Sequence, residues 1–151
     1  MAHAAVAALA LLVFFSAQAR DAGVHVVDAA AATLSQGQSL GAGDKLVSAG
    51  GTFELAFFTP TGAADPSRRY LGVMYAQSNE QTVPWVANRD APVSAGSSYS
   101  ATVTDAGELQ VLEGERVVWR TNSATTASFS SPANVTLTLL DTGNLQLTAG
   151  A

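Results

Sequence analysis

Gly107-Glu-Leu-Gln-Val-Leu-Glu-Gly114 returns about thirty-six residues later as Gly143-Asn-Leu-Gln-Leu-Thr-Ala-Gly150, and a looser version stands earlier as Gly51-Thr-Phe-Glu-Leu-Ala-Phe57. In extended backbone Leu109/Val111 and Leu145/Leu147 fall on one face, with Gln110 and Gln146 on the other, so the leucines are expected to face a core. A short β unit cannot bury its apolar face alone and needs its siblings to complete that core. Asp105-Ala-Gly107 and Asp141-Thr-Gly143 lead into the two closer copies. Their glycines suit the positive φ of a tight hairpin, and each Asp is expected to turn back onto its own backbone.

A second phrase follows the first two copies after a variable turn, as Val83-Pro-Trp-Val-Ala-Asn88 and Val117-Val-Trp-Arg-Thr-Asn122. Trp85 and Trp119 therefore predict a shared hydrophobic centre. The third copy meets Ala151 with no such sequel, so its sheet is expected to be incomplete, with an exposed edge. Strands are predicted at 45–48, 53–59, 69–76, 84–87, 100–104, 109–112, 117–121, 135–140 and 145–148. Three units of this size about a pseudo-threefold axis would make either a prism of sheets or a trefoil, and spacing alone is compatible with both.

Met1 to Ala19 reads as a secretory leader: an apolar run from Ala4 to Phe15 ends in Ala17-Gln-Ala19, with Ala19 at the cleavage site. The run is short for a bilayer span, which disfavours the alternative of an uncleaved anchor, and no later segment is long enough to cross. Residues 20–32 are expected to be a poorly ordered lead-in, and 33–151 a single domain. Secretion usually brings disulfides to small domains, yet there is no cysteine, so cohesion rests on apolar packing and sheet hydrogen bonds. A net charge of −5, one lysine and scattered arginines exclude the basic face that nucleic acid needs. Arg68-Arg69 is read as a solvated loop beside Asp65 and Pro66.

Catalytic chemistry finds little support. After the leader one histidine remains, His25, and no serine lies in a Gly-x-Ser-x-Gly elbow. Glu113 and Glu115 flank a turn glycine and read as hairpin-tip charges rather than an acid/base pair. Gly41-Ala-Gly-Asp-Lys45 lacks the residues of a nucleotide loop. No metal site or cofactor is indicated. Asn134-Val-Thr136 is an acceptor sequence for an N-linked glycan, next to the loop-like Ser130-Ser-Pro132.

Thr33-Leu-Ser-Gln-Gly-Gln-Ser-Leu40, Gly51-Thr-Phe-Glu-Leu-Ala-Phe-Phe58, Tyr70-Leu-Gly-Val-Met-Tyr75, Val83-Pro-Trp-Val-Ala-Asn-Arg-Asp-Ala-Pro-Val93 and Asp141-Thr-Gly-Asn-Leu145 resemble the bulb-type lectin domain of plant S-domain receptor-like kinases and S-locus glycoproteins. The resemblance implies an all-β fold, the β-prism II of monocot mannose-binding lectins, with three antiparallel sheets about a pseudo-threefold axis. It implies a non-catalytic extracellular module; full-length relatives add further modules, a membrane helix and a serine/threonine kinase. The partners it implies are a glycan or an extracellular protein or peptide, with dimerisation through a sheet edge as an assembly alternative. Mannose sites of such lectins follow Gln-x-Asp-x-Asn-x-Val-x-Tyr. In the second unit this pattern falls on Thr104, Ala106, Glu108, Gln110 and Leu112, and in the third on Leu140, Thr142, Asn144, Gln146 and Thr148, so Asn144 alone agrees. The missing amide and carboxylate groups are those that would hold a pyranose.

Overall fold

The computed structural model describes residues 32–121 and 134–150. The leader with Ala19 and nearly all of the lead-in lie outside these residues. The described residues contain strands and turns without a helix: β1 (Thr33–Ser35), β2 (Ser39–Leu40), β3 (Lys45–Val47), β4 (Phe53–Phe58), β5 (Arg68–Tyr75), β6 (Trp85–Val86), β7 (Val93–Ser94), β8 (Tyr99–Val103), β9 (Leu109–Glu113), β10 (Arg116–Arg120), β11 (Val135–Leu139) and β12 (Leu145–Ala149). They form three antiparallel sheets, ordered β3-β4-β5-β6 with β7 attached to β5, β10-β9-β8-β2, and β1-β11-β12. All nine predicted strands are present.

Three further strands, β1, β2 and β7, are only two or three residues long, too short to show an alternating pattern. Two of them close the fold. The N-terminal stretch gives β1 to the third sheet, opposite β11, and β2 to the second, opposite β8. Leu34 and Leu40 are wholly buried in the process. Gln36 joins the same two units: its side chain donates to Asp105 at 2.7 Å and accepts the Val135 N–H at 3.2 Å.

The core is the inward face of every sheet. Leu55, Leu71 and Val73 from the first meet Val103, Leu109 and Val111 from the second and Val135, Leu137 and Leu139 from the third. Trp85 and Trp119 meet edge-to-face with ring centroids 5.8 Å apart, the shared centre expected of them. They reach it by different routes. Trp119 lies on β10, paired directly with β9, and a bulge between Val117 and Trp119 sets Trp119, rather than Val118, opposite Val111. Trp85 lies on β6, separated from β4 by the eight-residue β5. What reads as a variable turn in the first unit therefore contains a whole strand.

The long Trp-Val-Ala-Asn run has a structural explanation. Asn88 is 1% exposed; its amide accepts the Leu71 N–H at 2.8 Å and donates to the carbonyls of Ala91 at 3.0 Å and Arg69 at 3.3 Å. One side chain thus closes the turn after β6 onto β5. Gly72 supports the same junction, since a Cβ there would stand 2.7 Å from Phe58 and 2.9 Å from the Trp85 carbonyl.

Three expectations change. Gly107 and Gly143 take the predicted positive φ (80° and 86°), but their aspartates do not turn back on themselves. Asp105 accepts Gln36 and Asp141 accepts the Gly50 N–H at 2.7 Å, because the packing of units brings unpaired donors closer than the local backbone offers. Arg68-Arg69 opens β5 instead of lying in a loop: Arg68 pairs with Asp65 at 3.0 Å, and Arg69 donates to Thr59 and to the Pro66 carbonyl. Finally, Leu145 and Leu147 face inward as predicted but are only half-buried, whereas Leu109 and Val111 are 1% and 0% exposed.

Candidate functional site

Among the described residues, the outward strand faces, a hollow beside Tyr75 and a groove alongside β12 are open to a ligand.

On the outward face of the third unit, Asn144, Gln146 and Thr148 alternate along β12 and its approach, all exposed, with Thr142 exposed before them and Leu140 half-buried. The Asn144 backbone N–H reaches the Thr142 hydroxyl at 3.5 Å, and Thr148 donates to the Thr136 carbonyl at 3.5 Å. Asn144 is thus presented to solvent with its amide uncommitted among the described residues. The second unit is furnished differently. Thr104 accepts the Glu108 N–H at 3.2 Å, and Gln110 donates to Glu108 at 3.4 Å, so its polar groups bond one another. Neither face gathers the amide, carboxylate and second amide that would surround a pyranose.

A hollow of about 380 Å³ lies at the open end of the first sheet, lined by Gly50, Gly51, Thr52, Tyr75, Gln77 and Ser78. Tyr75 is 43% exposed and stacks obliquely on Phe53, with centroids 4.8 Å apart, which holds its ring in place. An aromatic platform ringed by an amide, two hydroxyls and backbone glycines can take the apolar face of a sugar while bonding its hydroxyls. Sequence reasoning missed this hollow, because Gly50–Thr52 and Tyr75–Ser78 meet only through the β4–β5 pairing.

The groove holds about 370 Å³ and is lined mainly by apolar side chains, among them Val73, Trp85, Leu109, Leu137, Leu145 and Leu147.

The carboxylates serve structure. Glu113 accepts the Ser94 N–H and the Arg116 guanidinium, each at 2.8 Å, joining β9 to β7 and closing the hairpin to β10. The Ser94 bond, then that of Arg116, holds its carboxyl below the usual glutamate value. Asp65 is likewise held low, first by the Ser67 hydroxyl and N–H and then by Arg68. Both Glu113 oxygens are thus engaged, by Ser94 and by Arg116. Among the described residues no three His, Asp or Glu side chains converge as metal ligands, and no helix is long and apolar enough to cross a membrane.

Asn134 is exposed immediately before β11, with its carbonyl accepting the Gly150 N–H at 2.8 Å.

A family model described as D-mannose binding lectin matches residues 82–151. A G-type lectin S-receptor-like serine/threonine-protein kinase of Arabidopsis thaliana is 42% identical over 119 residues, covering 76% of this chain and 13% of the relative. A second Arabidopsis kinase of the same description is 42% identical over 115 residues, 76% of this chain and 12% of its own. The chain therefore spans about an eighth of the length of these curated relatives. Among solved structures, a monomeric monocot mannose-binding lectin from Gastrodia elata superposes with a TM-score of 0.53 at 21% identity, covering 80% of this chain and 89% of that one. The snowdrop mannose-specific agglutinin complexed with methyl-α-D-mannoside gives 0.53 at 18% identity, covering 79% and 90%. At such identities these two establish the β-prism fold and nothing further.

Proposed function

This chain belongs to the bulb-type lectin family, and from that premise we propose that it is a non-catalytic extracellular recognition domain of the receptor-kinase type, binding its ligand without the family's mannose pattern. The carrying observation is the outward face of the third unit: Asn144 is exposed and uncommitted, but Leu140, Thr142 and Thr148 stand where three of its polar partners would be. One amide cannot fix the orientation of a sugar ring. The leader and Ala19 cleavage fit this setting, as does glycosylation of the exposed Asn134. Purified from a eukaryotic secretory host, the protein should begin after Ala19 and lose mass on glycosidase treatment, and Asn134→Gln should abolish that loss.

The Tyr75 hollow favours a second reading, a functional lectin with a sugar site of its own. A glycan array separates the two. Binding that survives Asn144→Ala and is lost in Tyr75→Ala supports the second; silence of the wild type on the array removes it and leaves a protein or peptide as the ligand.

A further inference from the structure

The hollow beside Tyr75 lies at a seam between the first and third units. One wall is the turn at 48–51, closed by the Gly51 N–H on the Ser48 carbonyl at 2.8 Å. The other is the segment after β5, tied to the first where the Ala76 N–H meets the Thr52 carbonyl at 2.9 Å. Tyr75 is braced by Phe53, and Phe53 in turn packs on the third unit's hairpin, since a Cβ on Gly143 would stand 3.1 Å from its ring. The same hairpin brings Asp141 against Gly50, which lines the hollow. A Cβ at Gly50 would stand 3.0 Å from Asp141 Oδ1 and 3.1 Å from its Cγ and Oδ2, so a bare glycine is what admits the carboxylate.

Oδ1 of Asp141 accepts the Gly50 N–H at 2.7 Å, while Oδ2 has no partner among the described residues. The lining itself is uncharged: an aromatic ring, the Gln77 amide, the Thr52 and Ser78 hydroxyls and two glycines. Ser78 Oγ accepts the Glu80 N–H at 3.1 Å, which leaves its O–H to donate. Asp141 and Glu80, the charged residues bonded to the lining, are both acidic. A volume of about 380 Å³ is near the lower end of the roughly 300–1,000 Å³ of small-molecule sites.

We propose that Asp141 is the specificity-determining residue of this hollow. A neutral pyranose lays its apolar face on Tyr75 and donates a hydroxyl hydrogen to Oδ2, while Gln77 and the surrounding hydroxyls bond the rest of the ring. A bond to a charged acceptor is stronger than one between neutral groups, so the carboxylate outweighs the other polar contacts. Its charge also selects, because a sugar acid would bring a second anion to Asp141 and no basic residue lines the hollow to offset it. Asp141 can act in this way only on the reading of the hollow as a sugar site.

The test presents the full 151-residue chain to an array that pairs neutral hexosides with uronides of the same ring. Wild type should bind hexosides and pass over uronides. Asp141→Asn keeps an oxygen for the Gly50 N–H but puts an NH2 group where Oδ2 stood. It should retain the wild-type unfolding midpoint, weaken hexoside binding at least about tenfold, and narrow the preference over uronides. Glu80→Gln should change neither. Wild-type affinity and preference in Asp141→Asn would overturn the role of Asp141, and loss of binding in Tyr75→Ala would then show that the sugar site itself stands. A preference that shifts with Glu80→Gln instead would also overturn it. So would a midpoint that falls along with affinity in Asp141→Asn, which would make the contact with Gly50 purely structural. Silence of the wild type toward both classes would remove the sugar site and this role together.

Discussion

β9 and β12 carry nearly the same phrase, Leu-Gln-Val-Leu and Leu-Gln-Leu-Thr, in equivalent hairpins, yet Leu109 and Val111 are sealed while Leu145 and Leu147 are half-open to solvent. The difference lies in what stands beside each strand. β9 has a neighbour on both sides, whereas β12 has β11 alone among the described residues. Leu109 and Val111 are thus covered by strands on both flanks, whereas Leu145 and Leu147 are covered on one among the described residues.

The largest test of that contrast exchanges leucine for alanine in each hairpin. Leu109→Ala should cost about 2–5 kcal/mol, since it removes a fully buried side chain and leaves a cavity that dense packing cannot close. Leu145→Ala should cost about 1 kcal/mol, because less surface is removed from contact and water already reaches the site. Chemical unfolding of both variants measures the gap. Equal losses would mean that the third unit is as closed as the second.

Asparagine offers the same contrast in polar form. Asn88→Ala strands the buried Leu71 N–H and the turn carbonyls it served, so about 1–3 kcal/mol of stability should be lost. Asn144→Ala, on an exposed amide, should stay within about 0.5 kcal/mol of wild type. A smaller effect belongs to the ties between units. Asp141→Ala frees the Gly50 N–H to water and should cost about 0.5–1 kcal/mol, with Asp105→Ala, which releases Gln36, similar. A much larger loss at Asp141 would show that this contact, rather than the core, holds the third unit to the first.

Strands with several alternating residues were legible in the sequence, and so were the two tryptophans. β1, β2 and β7 were not, because strands of two or three residues owe their conformation to the sheets that receive them. The partners of Asp105, Asp141 and Arg69 were hidden for a related reason: each is distant in sequence or depends on a turn geometry that composition does not encode. Of the surface, the erosion of the mannose pattern could be read residue by residue, with Asn144 as its remnant. The Tyr75 hollow could not, since two segments more than twenty residues apart build it and neither has a recognisable motif alone.

The smallest effect expected is electrostatic, and it too distinguishes the hairpins. Glu113 ties β9 to β7 through Ser94 and closes the β9–β10 hairpin through Arg116, while β11–β12 has no ion pair among the described residues. Its carboxyl is held below the ordinary glutamate value of 4.5, so the folded state binds that proton less readily than the unfolded chain. The resulting stabilisation is fully present above that value and is lost as the pH falls through the folded one. In wild type the unfolding midpoint should therefore drop below about pH 4.5 by more than in Glu113→Gln. Arg116→Ala should narrow that difference without abolishing it, because the Ser94 N–H is the larger cause and is retained. If Arg116→Ala removed the whole pH dependence, the exposed ion pair rather than the backbone bond would be what fastens β9 to its neighbours.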